Sequence, residues 1–258
     1  MRKTAKKKGV KKKTKKTVKK KPNKIERIPL GIPHLDILIE GGFKKNSTNV
    51  LVGGAGSGKS IFATQFLIEG MKKGEHALYV TFEENKEEFY ANMLRFSWDL
   101  ADYEKRGLFT FLEYTPVKVK TMLEEGGGSI ESIILKKKVL RMVIDSITSF
   151  ALLFDDELKK REASLALFNM LRLWNCTTLL TLEGSPVKDE QISRTIEFES
   201  DSIIFLYYLR SKKERERYIE ILKMRGTKHS KKTYAFTITN KGIEIKKAVT
   251  RDLEPTYL

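Results

Sequence analysis

The stretch Gly53, Gly54, Ala55, Gly56, Ser57, Gly58, Lys59, Ser60 constrains the fold of this chain more than any other, because it fits G-x-x-x-x-G-K-[ST]. It stands between an apolar strand-like run, Thr48 to Val52, and a segment from about Lys59 to Lys73 that carries Ile61, Phe62, Phe66 and Leu67 at helical spacing. Glycines in that position let the backbone wrap closely around a phosphate, so that successive N–H groups and the helix N-terminus point at it. Lys59 is placed to neutralise the β- and γ-phosphates, and Ser60 to offer a hydroxyl to Mg²⁺. A glycine turn that merely joined a strand to a helix would give no reason for Lys-Ser directly after the last glycine. The reading is a nucleoside-triphosphate site.

The rest of the chain supplies the scaffold such a loop needs. Short apolar runs, Ala77 to Phe82, Leu108 to Glu113, Val139 to Ile144 and Thr177 to Leu182, read as strands. Helical patterns at Glu87 to Leu94 and Glu157 to Trp174 separate them, the alternation expected of an α/β domain with a mostly parallel sheet covered on both faces. Before the loop, Gly31, Pro33, Gly41 and Gly42 bracket a short apolar helix containing Leu35, Ile37, Leu38 and Ile39. Gly126 to Gly128 marks a mobile connection. From Ile203 the pattern changes to strands joined by short charged turns, at 203–209, 218–224, 233–239 and 243–245, with 211–217 as a hairpin tip. We expect these to form an antiparallel extension at one edge of the sheet.

Acidic residues fall at strand ends. Asp145 follows the run Val139 to Ile144, at the carboxyl edge beside the loop, where a Mg²⁺-bound triphosphate needs a carboxylate, partly through water. The alternative role is a helix cap for the residues from Ser146 onward. Glu83 and Glu84 end the run Ala77 to Phe82 and reach the same edge. One can orient and deprotonate an attacking water while the other supports it, since adjacent residues leaving a strand point to different sides. The competing account is a solvated acidic helix start, given Glu87 and Glu88.

Charge partitions sharply. The chain carries 50 Lys and Arg against 33 Asp and Glu, but residues 1–24 alone hold 13 Lys and 1 Arg with no acid. The remainder has 36 basic residues against 33 acidic ones, which argues against a broad nucleic-acid face. Residues 1–24 are therefore expected to be a disordered tail, available for nonspecific, salt-sensitive contact with nucleic acid or an anionic surface. The folded nucleoside-triphosphate-site domain is expected over residues 25–247, with a short C-terminal tail at 248–258. No apolar run is long enough to span a bilayer and no secretory h-region follows the basic start, so a cytoplasmic protein is expected. Cys176 is the only cysteine, and His34, His76 and His229 are scattered, so no metal site built purely from protein ligands is suggested.

Several of these segments together resemble KaiC domains. They are Gly31 to Asp36 with Gly41, Gly42 and Phe43, the phosphate loop, Thr81 to Glu84, Ile144 to Ser146, and Ile221 to His229. The similarity runs over nearly all of residues 25–247. It implies a RecA-like P-loop fold, ATP as the nucleotide, and assembly into a homo-oligomer, a hexamer being favoured, with nucleotide at subunit interfaces. It also implies that the tandem glutamates include the catalytic base, Glu83 first and Glu84 second. The Lys-x-Arg element, here Lys223 and Arg225, would reach the γ-phosphate held by a neighbouring subunit. From composition alone these two are ordinary strand-end cations. The chain departs from KaiC in carrying one such domain and a lysine-rich tail, so autophosphorylation and timekeeping are not carried over. Two other readings stay open: a nucleotide switch that hydrolyses ATP very slowly, and a DNA-associated relative of RadA paralogues.

Overall fold

The computed structural model describes residues 25–115, 117–118, 121, 128–151, 153–154, 156–184, 194–210 and 214–248. The lysine-rich tail, residues 249–258, Gly126, Gly127 and positions 211–213 of the expected hairpin tip lie outside these. The strands are β1 (Arg27–Ile28), β2 (Phe43–Lys44), β3 (Thr48–Gly53), β4 (Ala77–Thr81), β5 (Phe109–Glu113), β6 (Arg141–Asp145), β7 (Thr177–Glu183), β8 (Ser202–Arg210), β9 (Arg215–Met224), β10 (Tyr234–Thr239) and β11 (Gly242–Ala248). The helices are α1 (Pro33–Leu38), α2 (Lys59–Met71), α3 (Lys86–Leu94), α4 (Leu100–Lys105), α5 (Gly128–Lys137), α6 (Ile147–Ala151), α7 (Glu157–Leu173) and α8 (Arg194–Glu199).

Among the described residues, nine strands form one sheet in the order β11-β10-β9-β8-β3-β7-β6-β4-β5, and β1 pairs with β2 apart from it. The strands from β8 to β5 in that order run parallel, while β9, β10 and β11 add antiparallel pairs at one side. This is the RecA-like α/β architecture expected. The central strands are buried on both faces, so their side chains alternate between two cores. Leu51, Tyr79 and Val143 join Phe62, Phe66 and Phe89 on the α2 side. Val50, Leu78, Val80, Met142 and Ile144 join Leu167, Phe168 and Leu171 on the α7 side. Burying each of these large side chains contributes roughly 1.5–3 kcal/mol, which is why the strands read as continuous apolar runs.

Four expectations need correction. The strand expected at Val139 begins only at Arg141, because Lys138 adopts a positive φ of 52° and the Val139 N–H bonds back to Ile134 O at 3.1 Å, closing α5. Residues 215–217, expected in a hairpin tip, continue the ladder, with Arg215, Glu216 and Arg217 opposite Arg210, Leu209 and Tyr208. The run from Ile203 is not part of a purely antiparallel extension: β8 pairs parallel with β3 and antiparallel with β9, and so joins the two regions. Gly128, expected in a loop, opens α5.

A buried arginine ties the leading segment to the sheet. Arg141 is fully buried at the start of β6, with Nε donating to Glu75 at 2.5 Å and Nη1 donating to Pro29 O and Phe66 O at 2.5 and 2.9 Å. Its guanidinium lies 4.9 Å from the Phe66 ring centre. A buried charge persists only when paired and hydrogen-bonded, and here one side chain holds β6, α2 and the strand-to-helix link after β1 together.

Candidate nucleotide site

The loop from Gly53 to Gly58 leaves the carboxyl end of β3 and turns into α2. Gly58 occupies the N-cap position with a φ of +101°, and no side chain caps the helix there. By contrast α3, α4 and α7 begin on Asn85, Asp99 and Asp156, whose carboxamide or carboxylate oxygens take up N–H groups of the first turn. The first N–H groups of any helix lack intrahelical partners, so at α2 they remain for an anion. Within the same loop the buried Ser57 hydroxyl has no partner among the described residues.

Lys59 is folded back over this loop. Its ammonium donates to Gly53 O at 2.8 Å and Gly54 O at 3.1 Å. Burial lowers its pKa, opposed by the nearby carboxylates of Glu183, Asp145 and Glu83. Among the described residues, the uncapped helix start, the partnerless serine and a lysine held by loop carbonyls together fit a triphosphate, to which the ammonium can turn.

Asp145, at the end of β6, collects three hydroxyls. Oδ2 accepts from Ser60 Oγ at 2.8 Å and from Tyr79 OH at 2.6 Å, and Oδ1 accepts from Thr181 Oγ1 at 2.5 Å. Tyr79 is fully buried, and burial first, then the Asp145 carboxylate, holds its phenol well above the usual range. The carboxylate is therefore braced by β4 and β7 while facing α2. Helix α6 starts two residues later, at Ile147. A hydroxyl and a carboxylate in contact make an all-oxygen pair suited to a hard divalent cation whose other ligands are phosphate and water. Among the described residues, no group of three or more His, Cys, Asp or Glu could hold a metal by itself.

Glu83 and Glu84 leave β4 beside Asp145, and both backbone N–H groups donate to Thr81 Oγ1, at 3.2 and 3.1 Å. Their side chains then diverge. The Glu83 carboxylate is exposed and accepts from Ser149 Oγ and, at 3.5 Å, from Ser146 Oγ. Glu84 is half-buried, and burial first, then the charges of Asp145, Glu83 and Glu88, raises its pKa to about 7. The structure thus gathers the loop, Asp145 and both glutamates at one edge of the sheet.

Lys223 and Arg225 are not gathered there. Asn49 pairs with Ser202 and Ser202 with Met224, which puts them at the amino end of β3, about 15 Å of strand away from the loop. Lys223 Nζ donates to Glu197 O at 2.5 Å and Ser200 O at 2.7 Å, and Arg225 donates to Phe198 O, so both cations sit on carbonyls at the end of α8. Burial and the adjacent Arg225 lower the Lys223 pKa.

Two features at the loop were not read from sequence. Arg217 Nε donates to Gly56 O at 3.1 Å and its guanidinium lies 4.3 Å from the Tyr208 ring centre. Placing 211–217 in a turn hid it, although a cation opposite a tyrosine on a hairpin is the available signal. Beside the first turn of α2 lies a cavity of about 500 Å³ lined by Ile61, Met93, Phe96, Ile238 and Asn240 among others. Its walls come from α2, α3 and β10, and only tertiary folding brings them together.

Fold and site together define a P-loop domain of the RecA-like type. A family model described as "ATPase: KaiC" matches residues 28–250, and the chain belongs to the KaiC ATPase family. It is 34% identical over 226 residues to the circadian clock protein KaiC3 of Synechocystis, covering 84% of this chain but 45% of that protein, so it spans less than half of that relative. It is 33% identical over 232 residues to a UPF0273 protein of Pyrococcus furiosus, covering 85% of this chain and 93% of the relative. Among solved structures, a KaiC-like protein of Pyrococcus horikoshii superposes with a TM-score of 0.78 at 36% identity, covering 87% of this chain and 100% of that one. Among the described residues, no helix is long and apolar enough to cross a membrane.

Proposed function

We propose that this chain binds Mg-ATP and hydrolyses it to ADP and phosphate, in a head-to-tail assembly, a hexameric ring being the favoured form, with each nucleotide between two subunits. The observation that carries the reading is the Ser60–Asp145 contact, set between an uncapped helix start and two strand-end glutamates. Lys59 exchanges the Gly53 and Gly54 carbonyls for phosphate oxygens. Ser60 and Asp145 hold the cation, the latter partly through water, and the bound cation supplies charge neutralisation at the phosphates. Glu83 takes the proton of the attacking water, oriented by the hydroxyls of Ser146 and Ser149, and Glu84 supports it. The cavity beside Ile61 and Phe96 is of a size to receive the base, which the family resemblance makes adenine.

Lys223 and Arg225 lie at the opposite edge from their own loop, which suits cations offered to the next subunit's nucleotide. A charge supplied in trans would make turnover depend on assembly, as an arginine finger does. The lysine-rich tail adds nonspecific attachment to nucleic acid; binding that disappears on removal of residues 1–24 identifies that contact. The test of the enzymatic reading is phosphate release by Glu83→Gln and Glu84→Gln single and double variants alongside nucleotide binding. Loss of release in the double variant with binding retained supports it, and unchanged release contradicts it.

A further inference from the structure

Arg27 stands on β1, outside every element that carries the nucleotide site, yet its side chain is only 12% exposed. Its guanidinium forks between two partners, donating to Glu40 Oε2 at 2.8 Å and to Thr227 Oγ1 at 2.6 Å. Longer contacts run to Gly226 O at 3.4 Å and Gly42 O at 3.5 Å. Thr227 and Gly226 form the turn directly after Arg225, closed by Thr227 N–H on Met224 O at 3.3 Å. The platform beneath Arg27 is rigid. β1 pairs with β2, and Gly42, at a φ of +127°, lies so close to β1 that an added Cβ would stand 2.1 Å from Ile28 O. On its other side the turn is fixed by the Arg225 N–H donating to Asp201 O at 2.8 Å.

We propose that Arg27 is a positioning residue for Lys223 and Arg225, fixing through Thr227 and Gly226 the turn from which these cations are offered to the neighbouring subunit's nucleotide. This rests on the reading that the two cations act in trans. The requirement is specifically for arginine, because a planar fork meets the Glu40 carboxylate and the Thr227 oxygen at once, whereas a lysine ammonium is a single point charge on a flexible stem. Glu40 anchors the guanidinium to the leading segment, so the fork transmits that rigidity to the turn. Displacing a catalytic cation by an ångström costs on the order of a hundredfold in rate.

The experiment mixes subunits. Arg27→Ala alone is expected to lower the turnover number about tenfold to a hundredfold with nucleotide affinity unchanged, and Arg27→Lys to fall between it and the wild type. Arg27→Ala is then mixed in equal amounts with the Glu83→Gln/Glu84→Gln double variant, whose own loops cannot turn over but whose turns are intact. About a quarter of randomly formed head-to-tail interfaces then join an intact catalytic edge to an intact turn, so activity reappears. A parallel mixture uses Arg225→Ala in place of Arg27→Ala. Recovery in both mixtures supports the proposal. Recovery with Arg225→Ala only overturns the role of Arg27 while leaving the trans reading standing. Recovery in neither overturns the trans reading and the proposal with it. If Arg27→Ala does not fold, Arg27→Lys takes its place in the same mixture, and a full wild-type turnover number in Arg27→Lys overturns the proposal.

Discussion

Ser60 and Asp145, 85 residues apart in sequence, meet at 2.8 Å where the phosphate loop faces the end of β6. The contact places a hydroxyl on α2 against a carboxylate that Tyr79 and Thr181 brace from neighbouring strands. Asp145→Asn keeps the shape but offers one acceptor oxygen in place of two. Phosphate release is expected to require roughly tenfold to hundredfold more Mg²⁺, the scale seen when ligands or their supports are altered at metal sites. A Mg²⁺ titration of the variant beside the wild type checks it, and an unshifted curve removes Asp145 from the cation site.

Arg141 makes a stability prediction independent of nucleotide. Arg141→Ala leaves Glu75 without its cation, opens space beneath Phe66, and removes the donors to Pro29 O and Phe66 O. A loss of about 3–5 kcal/mol is expected, the range for breaking a buried ion pair. Urea unfolding of the two proteins measures it. A change within experimental error would mean the buried guanidinium is dispensable.

Asp36 gives a pH signature. Its carboxylate accepts the N–H groups of Leu30 and Gly31, yet burial outweighs them and pushes its pKa from 3.8 up to about 6. A carboxyl that holds its proton more tightly when folded stabilises fully below its unfolded pKa, and that contribution is lost as pH rises through the folded value. The stability of Asp36→Asn relative to wild type should therefore shift in the variant's favour between about pH 4 and about pH 6. Denaturant midpoints across that range test it; a flat difference contradicts the assignment.

Nucleotide should also control size. If the catalytic edge of one subunit meets Lys223 and Arg225 of the next across a bound nucleotide, the full chain should sediment as a larger species with Mg-ATP than without it. The Glu83→Gln/Glu84→Gln variant should stay large for longer, since it keeps its nucleotide. A sedimentation coefficient indifferent to nucleotide would argue against an interfacial site.

Much of this was legible in the sequence, and for identifiable reasons. β3 and α2 were read nearly to their ends because a run buried on both faces and a glycine-rich turn before an apolar helix leave few alternatives. Asp145, Glu83 and Glu84 followed from strand ends, since carboxyl edges of parallel strands collect at one place. Less local features were hidden. The sheet order, with β3 between β7 and β8, depends on crossovers that no window of residues encodes. The short helices α4, α6 and α8 have too few turns to show a period, and a fully buried arginine such as Arg141 runs against composition. The place of Lys223 and Arg225 on α8 carbonyls follows from β9 running antiparallel to β8, and the role of Arg27 from its contact with Thr227, 200 residues away.

The central claim is that Lys59 and the backbone around it hold the charged end of a nucleotide. Titration of wild-type protein and Lys59→Ala with a fluorescent ATP analogue in the presence of Mg²⁺ measures this directly. Loss of an ammonium contacting phosphate should weaken binding by about tenfold or more, on the scale of about 1.5–3 kcal/mol for a hydrogen bond to a charged group. Equal affinity in the two proteins would contradict the account.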